Sequence, residues 1–218
     1  MFRDYQYNWR RFWFGCVGAA ACFGMFFLAL PGMAADVIRV EEEWELAIAT
    51  PDPGSDAPQV TCLISPRGDM AYTHGVFELN QRTQPSVSPG GLQLQVWRGE
   101  SPLVHVETSN TAVLGQADET IRWTQRMEIA GGVLTFAVTD GHSTTWGDFG
   151  QAGELQIQRS TWRTHLNGYD PAVSVQNSAV GYAANRVKSL VLKRVRYTAA
   201  TGEVWEDPIT DRTVHTLP

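Results

Sequence analysis

Cysteine is scarce in this chain. Of its three cysteines, Cys16 and Cys22 fall inside an N-terminal apolar run, and Cys62 stands alone in the remainder. An internal disulfide is therefore excluded beyond that run, and the fold has to be held by its core. Cys62 lies in Val60-Thr61-Cys62-Leu63-Ile64, an apolar strand pattern, and reads as a buried, reduced, inert thiol. No Asn-x-Ser/Thr sequon occurs, which suits a bacterial product. Internal repeats, low-complexity tracts and any sustained helical period after residue 34 are missing too. So are His-Glu-x-x-His, Cys-x-x-Cys and a phosphate-cradling Gly-Lys loop. His74, His105, His142, His165 and His215 are scattered without metal-ligand spacing and read as surface or locally satisfied side chains.

What is present begins with an export signal. Arg3, Arg10 and Arg11 precede an apolar run over 12–30, Pro31-Gly32 breaks it, and small residues continue to Ala35. That order is the positive, apolar, small-residue sequence of a secretory signal. Cleavage is expected between Ala34 and Ala35, with Ala35-Asp36 as the alternative bond. The run is also long enough to span a bilayer, so the rival reading is an uncleaved anchor, the one route to membrane contact. Ala19-Ala20-Ala21-Cys22 faintly matches a lipoprotein box, but the apolar run continues well past it.

Removing residues 1–34 from 218 leaves 184, a size that suits one domain over 35–218. The 17 basic residues less 3 leave 14, and the 23 acidic less 1 leave 22, a formal charge of −8. Such an acidic product is a poor nucleic-acid binder. Strand patterns then follow one another. Residues 44–49 alternate, 60–64 is a short apolar strand, and 75–80 is another. Leu92, Leu94 and Val96 alternate with Gln93, Gln95 and Trp97, and 103–108 follows. Ile121, Trp123, Gln125, Met127 and Ile129 share one side of a strand that Gly131-Gly132 links to 133–138. Asp140-Gly141 is the strongest two-residue hairpin signal, leading into 142–146. Shorter candidates lie at 155–158 and 173–175, a closing strand at 189–197, and a last pair across Thr201-Gly202. Strands at roughly ten-residue spacing predict an all-β, antiparallel two-sheet sandwich or jelly roll, with the signal helix outside it.

Trp44-Glu45-Leu46, Trp146-Gly147-Asp148-Phe149-Gly150 and Asn185-Arg186-Val187-x-Ser189-Leu190-x-Leu192 together resemble a concanavalin A-like (lectin/glucanase, laminin-G-like) jelly roll over about 40–200. The resemblance rests on strand order and implies neighbouring first and last strands. The chain also resembles secreted bacterial families, a kinship that implies location and fold but no activity.

Catalytic chemistry finds little support. Gly141-His142-Ser143-Thr144-Thr145 opens like a nucleophile elbow, but Thr145 replaces its second glycine and a strand-to-helix setting is missing. Lectin-fold glycosidases need paired carboxylates, and no strand carries Glu-x-Asp-x-x-Glu. Glu41, Glu42, Glu43 and Glu45 read as a solvated edge; Glu78 and Glu128 sit singly on polar strand faces. Calcium is common in the resembled folds, and Asp52, Asp56, Asp140 and Asp148 carry the oxygens for it, yet none forms a spaced calcium loop. No cofactor is therefore expected. Lys188, Lys193, Arg194 and Arg196 crowd the closing strand and read as edge protection.

The candidate binding face is that of Gln93, Gln95 and Trp97, with Glu78, Arg122, Arg126 and Glu128 as candidates for the same sheet. Amides and a flat ring suit sugar hydroxyls and the apolar face of a pyranose. The competing reading packs Trp97 under a loop; Trp146 and its glycine-rich loop are the next site candidate. The expectation is an exported, non-catalytic β-sandwich that binds extracellular glycan or another surface polymer. A glycoside hydrolase or lyase of the same fold and a structural envelope component without a small ligand are the alternatives. N-terminal sequencing of native protein from outside the cytoplasm is expected to begin at Ala35 or Asp36; a start at Met1 in membranes would establish the anchor instead.

Overall fold

Strand β1 (Val37–Ile48) shows why this chain makes sheets. Val40, Trp44, Leu46 and Ile48 are buried at every second position, while Glu41, Glu43 and Glu45 point the other way. The computed structural model describes residues 35–49, 58–79, 91–108, 117–144, 147–151, 153–182 and 184–217. The N-terminal apolar segment, Ala34 on one side of the expected cleavage bond, Asp52, Asp56 and Trp146 lie outside the described residues.

The strands after β1 are β2 (Gln59–Ile64), β3 (Thr73–Leu79), β4 (Leu92–Arg98), β5 (Ser101–Glu107), β6 (Thr120–Ala130) and β7 (Val133–Ser143). Then come β8 (Gly147–Phe149), β9 (Gln156–Ser160), helix α1 (Pro171–Asn177), β10 (Ala179–Tyr182), β11 (Val187–Ala199), β12 (Val204–Glu206) and β13 (Arg212–Thr216). The larger sheet runs β12-β11-β1-β6-β7-β8, with β13 also on β11 and β9 also on β7; the smaller runs β10-β2-β3-β4-β5. All pairings are antiparallel. The protein is an all-β two-sheet sandwich, compatible with a jelly roll. The closing strand expected at 189–197 is the middle of β11, which pairs with β1 along its whole length.

Aromatic rings tie the sheets together. Trp44 of β1 stacks on Trp123 of β6, with ring centroids 6.3 Å apart and planes 8° apart. Phe77 from β3 of the other sheet meets Trp123 edge-on at 5.6 Å, and stacks on Phe149 of β8 at 6.2 Å. Such pairs add about 0.5–1.5 kcal/mol each beyond the area they bury. The expected one-sided set Ile121, Trp123, Gln125, Met127 and Ile129 is buried throughout.

Four expectations are corrected. Residues 173–175 belong to α1, not to a strand. Asp170 caps that helix through Oδ1, which accepts from the Ala172 amide at 2.8 Å, and Pro171 opens it. Asp140-Gly141 is not a hairpin: β7 runs on to Ser143, and the pair forms a bulge opposite Trp123, with Asp140 at φ 53°. Glu41–Glu45 are not on an edge, because β1 lies between β11 and β6. Nor are Arg194 and Arg196: β11 is flanked by β1 on one side and by β12 and β13 on the other, and both arginines pair with Glu43.

The bulge has a steric reason. A Cβ on Gly141 would lie 2.4 Å from the Phe149 ring, so only glycine lets β8 dock its aromatic there. Gly141→Ala is expected to cost about 1–3 kcal/mol in urea unfolding, as overpacking of a filled core does. Gly181→Ala, where a Cβ meets nothing within 4 Å, is expected to stay within about 1 kcal/mol of wild type.

Candidate functional site

The alternation in β4 places its residues as the sequence predicts. Leu92, Leu94 and Val96 join the core between the sheets, while Gln93, Gln95 and Trp97 face away from it. Glu78 of β3 stands opposite Gln93 on that same outer face, and His74 stands opposite Trp97. The side chains are spent on one another. Gln95 donates through Nε2 to Glu78 Oε2 at 2.5 Å and to Gln93 Oε1, and its Oε1 accepts from Trp97 Nε1 at 2.7 Å. Glu78, Gln93 and Gln95 are buried, and Trp97 is half-buried against Leu63 and Val76 of the outer face and Val173 of α1. Trp97 thus packs against α1 and its neighbouring strands, where the packing alternative expected a loop. Burial pushes the Glu78 carboxyl up to about 7.

Arg122, Arg126 and Glu128 do not join this group. They lie on β6, in the other sheet, which corrects the expectation of one shared sheet. There they belong to a charge lattice with β1: Arg122 pairs with Glu45 at 2.7 Å, and Glu128 with Arg39 at 2.9 Å and Arg126 at 4.0 Å. Arg194 continues the lattice through Glu43 and Glu206. Glu78 and Glu128 lie on the outer faces of opposite sheets and are not a facing pair.

A second polar group lies inside the sandwich, unannounced by the sequence pattern. Glu42 takes an inward position on β1 and is fully buried. It accepts from Trp44 Nε1 at 3.0 Å, Tyr169 Oη at 2.7 Å and Ser174 Oγ at 2.5 Å. Desolvation outweighs these donors and raises its carboxyl to about 7. Gln125, its register partner on β6, donates across the sandwich to the Cys62 carbonyl at 3.2 Å. Cys62 is buried and free, and burial pushes its thiol well up, as an inert thiol requires. Ser143 is buried on β7 and donates to Glu119, a strand setting rather than an elbow. His142 bonds Asp148 at 2.7 Å, and Asp140 accepts from Thr139. Among the described residues no three His, Cys, Asp or Glu side chains converge as metal ligands, and no helix is long and apolar enough to cross a membrane.

One exposed feature stands apart. Trp162 follows the end of β9 and is 78% exposed, well beyond any other large apolar side chain among the described residues. Its ring meets Tyr72 edge-on at 6.1 Å and 80°. Arg163 lies over both rings, its Cζ 4.8 Å from the Tyr72 centroid and 5.3 Å from that of Trp162. Thr161 fixes the turn. Its amide donates to the Gly132 carbonyl at 2.8 Å, its Oγ1 accepts from the Arg163 amide at 3.1 Å, and Oγ1 shares a 2.9 Å hydrogen bond with Tyr72 Oη. Sequence reasoning passed over Trp162 because it follows a strand rather than alternating within one; Ser160-Thr161-Trp162-Arg163 carries no periodic signal.

The two raised carboxyls set a pH dependence. Each binds its proton in the folded chain up to about pH 7 but loses it near 4.5 when unfolded. Their contribution to stability is full below about pH 4.5 and is lost as pH rises through 7, with a slope of at most about 1.4 kcal/mol per pH unit for each. Urea unfolding between pH 5 and 8 is expected to show stability falling with pH, and Glu42→Gln or Glu78→Gln should each flatten the slope. An unchanged slope in both variants would overturn the assignment.

No protein-family model matches the chain, and no curated protein sequence matches it either, so a functional reading rests on these residues and their arrangement alone.

Proposed function

We propose that the protein is an exported, non-catalytic glycan-binding sandwich whose contact point is the Trp162 platform. The observation that carries this reading is the exposure of Trp162 on a braced turn. A soluble protein gains nothing in stability from an indole left in water, whereas a fixed flat ring offers the apolar face of a pyranose a stacking partner at little entropic cost. Thr161, Tyr72 and Arg163 hold the surroundings of the ring before any ligand arrives, and such preorganisation favours affinity.

The buried amide face contributes differently in this reading. Gln93, Gln95 and Glu78 consume their polar groups internally, so they tie β3 to β4 instead of meeting sugar hydroxyls. The hydrolase or lyase alternative calls for two carboxyls roughly 5–10 Å apart across a sugar. Glu78 and Glu128 lie on the outer faces of different sheets, and the carboxyls that do approach each other, Glu43 and Glu206, are bridged by Arg194 and Arg196, which favours the binding reading over the enzymatic one.

Glycan-array screening of the protein lacking residues 1–34, followed by calorimetry on the best ligand, tests this. Trp162→Ala is expected to weaken binding at least about tenfold, equivalent to about 1.4 kcal/mol, while thermal unfolding stays near wild type because the ring is exposed. Binding unaffected by that substitution would remove the platform as the site. Absence of binding to every glycan would remove the reading itself.

A further inference from the structure

We infer that the sugar recognised at this platform carries a carboxylate: the ligand class is a uronate-containing polysaccharide. The inference rests on the glycan-binding reading and adds the chemistry of the ligand. Its basis is Arg163. The guanidinium lies over both Tyr72 and Trp162, within stacking range of each. No carboxylate among the described residues pairs with it, whereas Arg39, Arg122, Arg194 and Arg196 on the larger sheet each face an acidic side chain. An arginine whose guanidinium sits beside an exposed indole, with no carboxylate among the described residues paired to it, places a fixed cation next to a stacking surface. That geometry suits a carboxylate substituent on the same ring that stacks on Trp162, because a guanidinium meets a carboxylate through two parallel hydrogen bonds.

The local charge supports the same ligand. Residues 155–169 contain no Asp or Glu and hold Arg159 and Arg163, between Glu154 and Asp170 and with Asp36 bonded to Asn167 at 3.0 Å, in a chain of formal net charge −6. The overall charge repels polyanions at long range. At physiological ionic strength the screening length is about 8 Å, so contact-range charges outweigh distant ones for a bound sugar. A neutral pyranose would use Trp162 but leave Arg163 unpaired, and Trp162 beside an uncharged side chain would serve it as well. A sulfated sugar is the competing anion. It too can meet a guanidinium through two of its oxygens, so the experiment sets it directly against the carboxylate.

The test compares oligogalacturonate, its methyl ester, an oligomannuronate and a sulfated galactan oligosaccharide by calorimetry. The proteins are wild type, Trp162→Ala, Arg163→Gln and Arg163→Lys. The methyl ester keeps the ring and removes the charge, so the central comparison needs no variant at all. On wild type, at least one uronate oligomer is expected to bind tenfold or more tightly than the ester and the sulfated sugar. Arg163→Gln should erase that preference while retaining weak binding of the ester, and Arg163→Lys should restore part of it. Trp162→Ala should weaken acid and ester alike. Equal affinity for acid and ester, or a preference that survives Arg163→Gln, overturns the carboxylate inference but leaves glycan binding standing. Equal affinity for the sulfated sugar reduces the site to a general anion contact and overturns it as well. No binding of any glycan, acidic or neutral, brings down the underlying reading.

Discussion

The contact of Trp123 with Phe77 is the point on which the sandwich depends. Trp123 stacks on Trp44 within its own sheet and receives Phe77 from the opposite one, and Phe77 in turn stacks on Phe149. Four rings from β1, β6, β3 and β8 thus form one continuous aromatic unit through the core. With no disulfide available to this fold, these contacts and the aliphatic residues around them take the place of covalent staples. Other features follow from making room for them. Gly141 has no side chain because Phe149 fills its place, and Gly75 has none because a Cβ would lie 2.7 Å from the Phe136 ring. The bulge at Asp140 adjusts β7 to this packing.

Polar groups enter the interior at one end of that core. Glu42, Gln125 and Cys62 meet there, and the segment leading through α1 contributes Tyr169 and Ser174. Buried polar groups are costly unless paired, and beside the neighbouring Trp44 the donors to Glu42 come from residues more than a hundred positions away in sequence. The network therefore specifies where the only described α-helix docks. Val173 of that helix adds an apolar contact with Leu63 and Val76, and Leu63 donates its amide to Ser178 just beyond the helix.

Much of the fold was legible because its signal is local. The alternation in β4 and β6 translates directly into buried and outward faces, and the Gly131-Gly132 turn has the left-handed backbone that its glycines permit. What was illegible depended on distant partners. Glu41 to Glu45 look uniformly polar, but Glu42 is inward because its strand is flanked on both sides and Tyr169 and Ser174 arrive to bond it. Asp140-Gly141 has hairpin chemistry, but β7 pairs on past it with β6 and β8, and Phe149 fills the space a side chain at 141 would need. The seven α1 residues make too short a run for a helical period to emerge, although Asp170-Pro171 carried a start signal. For the candidate site, the outward face of Gln93, Gln95 and Trp97 was legible, its internal hydrogen bonding was not, and Arg122, Arg126 and Glu128, candidates for the same sheet, lie on the other. Trp162 depends on a contact with Tyr72, 90 residues earlier, which no local pattern records.

Thr161 makes one residue answer to both sheets. Its amide holds the Gly132 carbonyl, in the turn between β6 and β7, and its hydroxyl holds Tyr72, at the entrance to β3 in the smaller sheet. Sliding one sheet against the other would break one of these bonds and pull the ring of Trp162 away from its brace. The turn is therefore a mechanical clasp across the sandwich as well as a display of the indole, so that the geometry of the exposed ring reports on the alignment of the two layers beneath it.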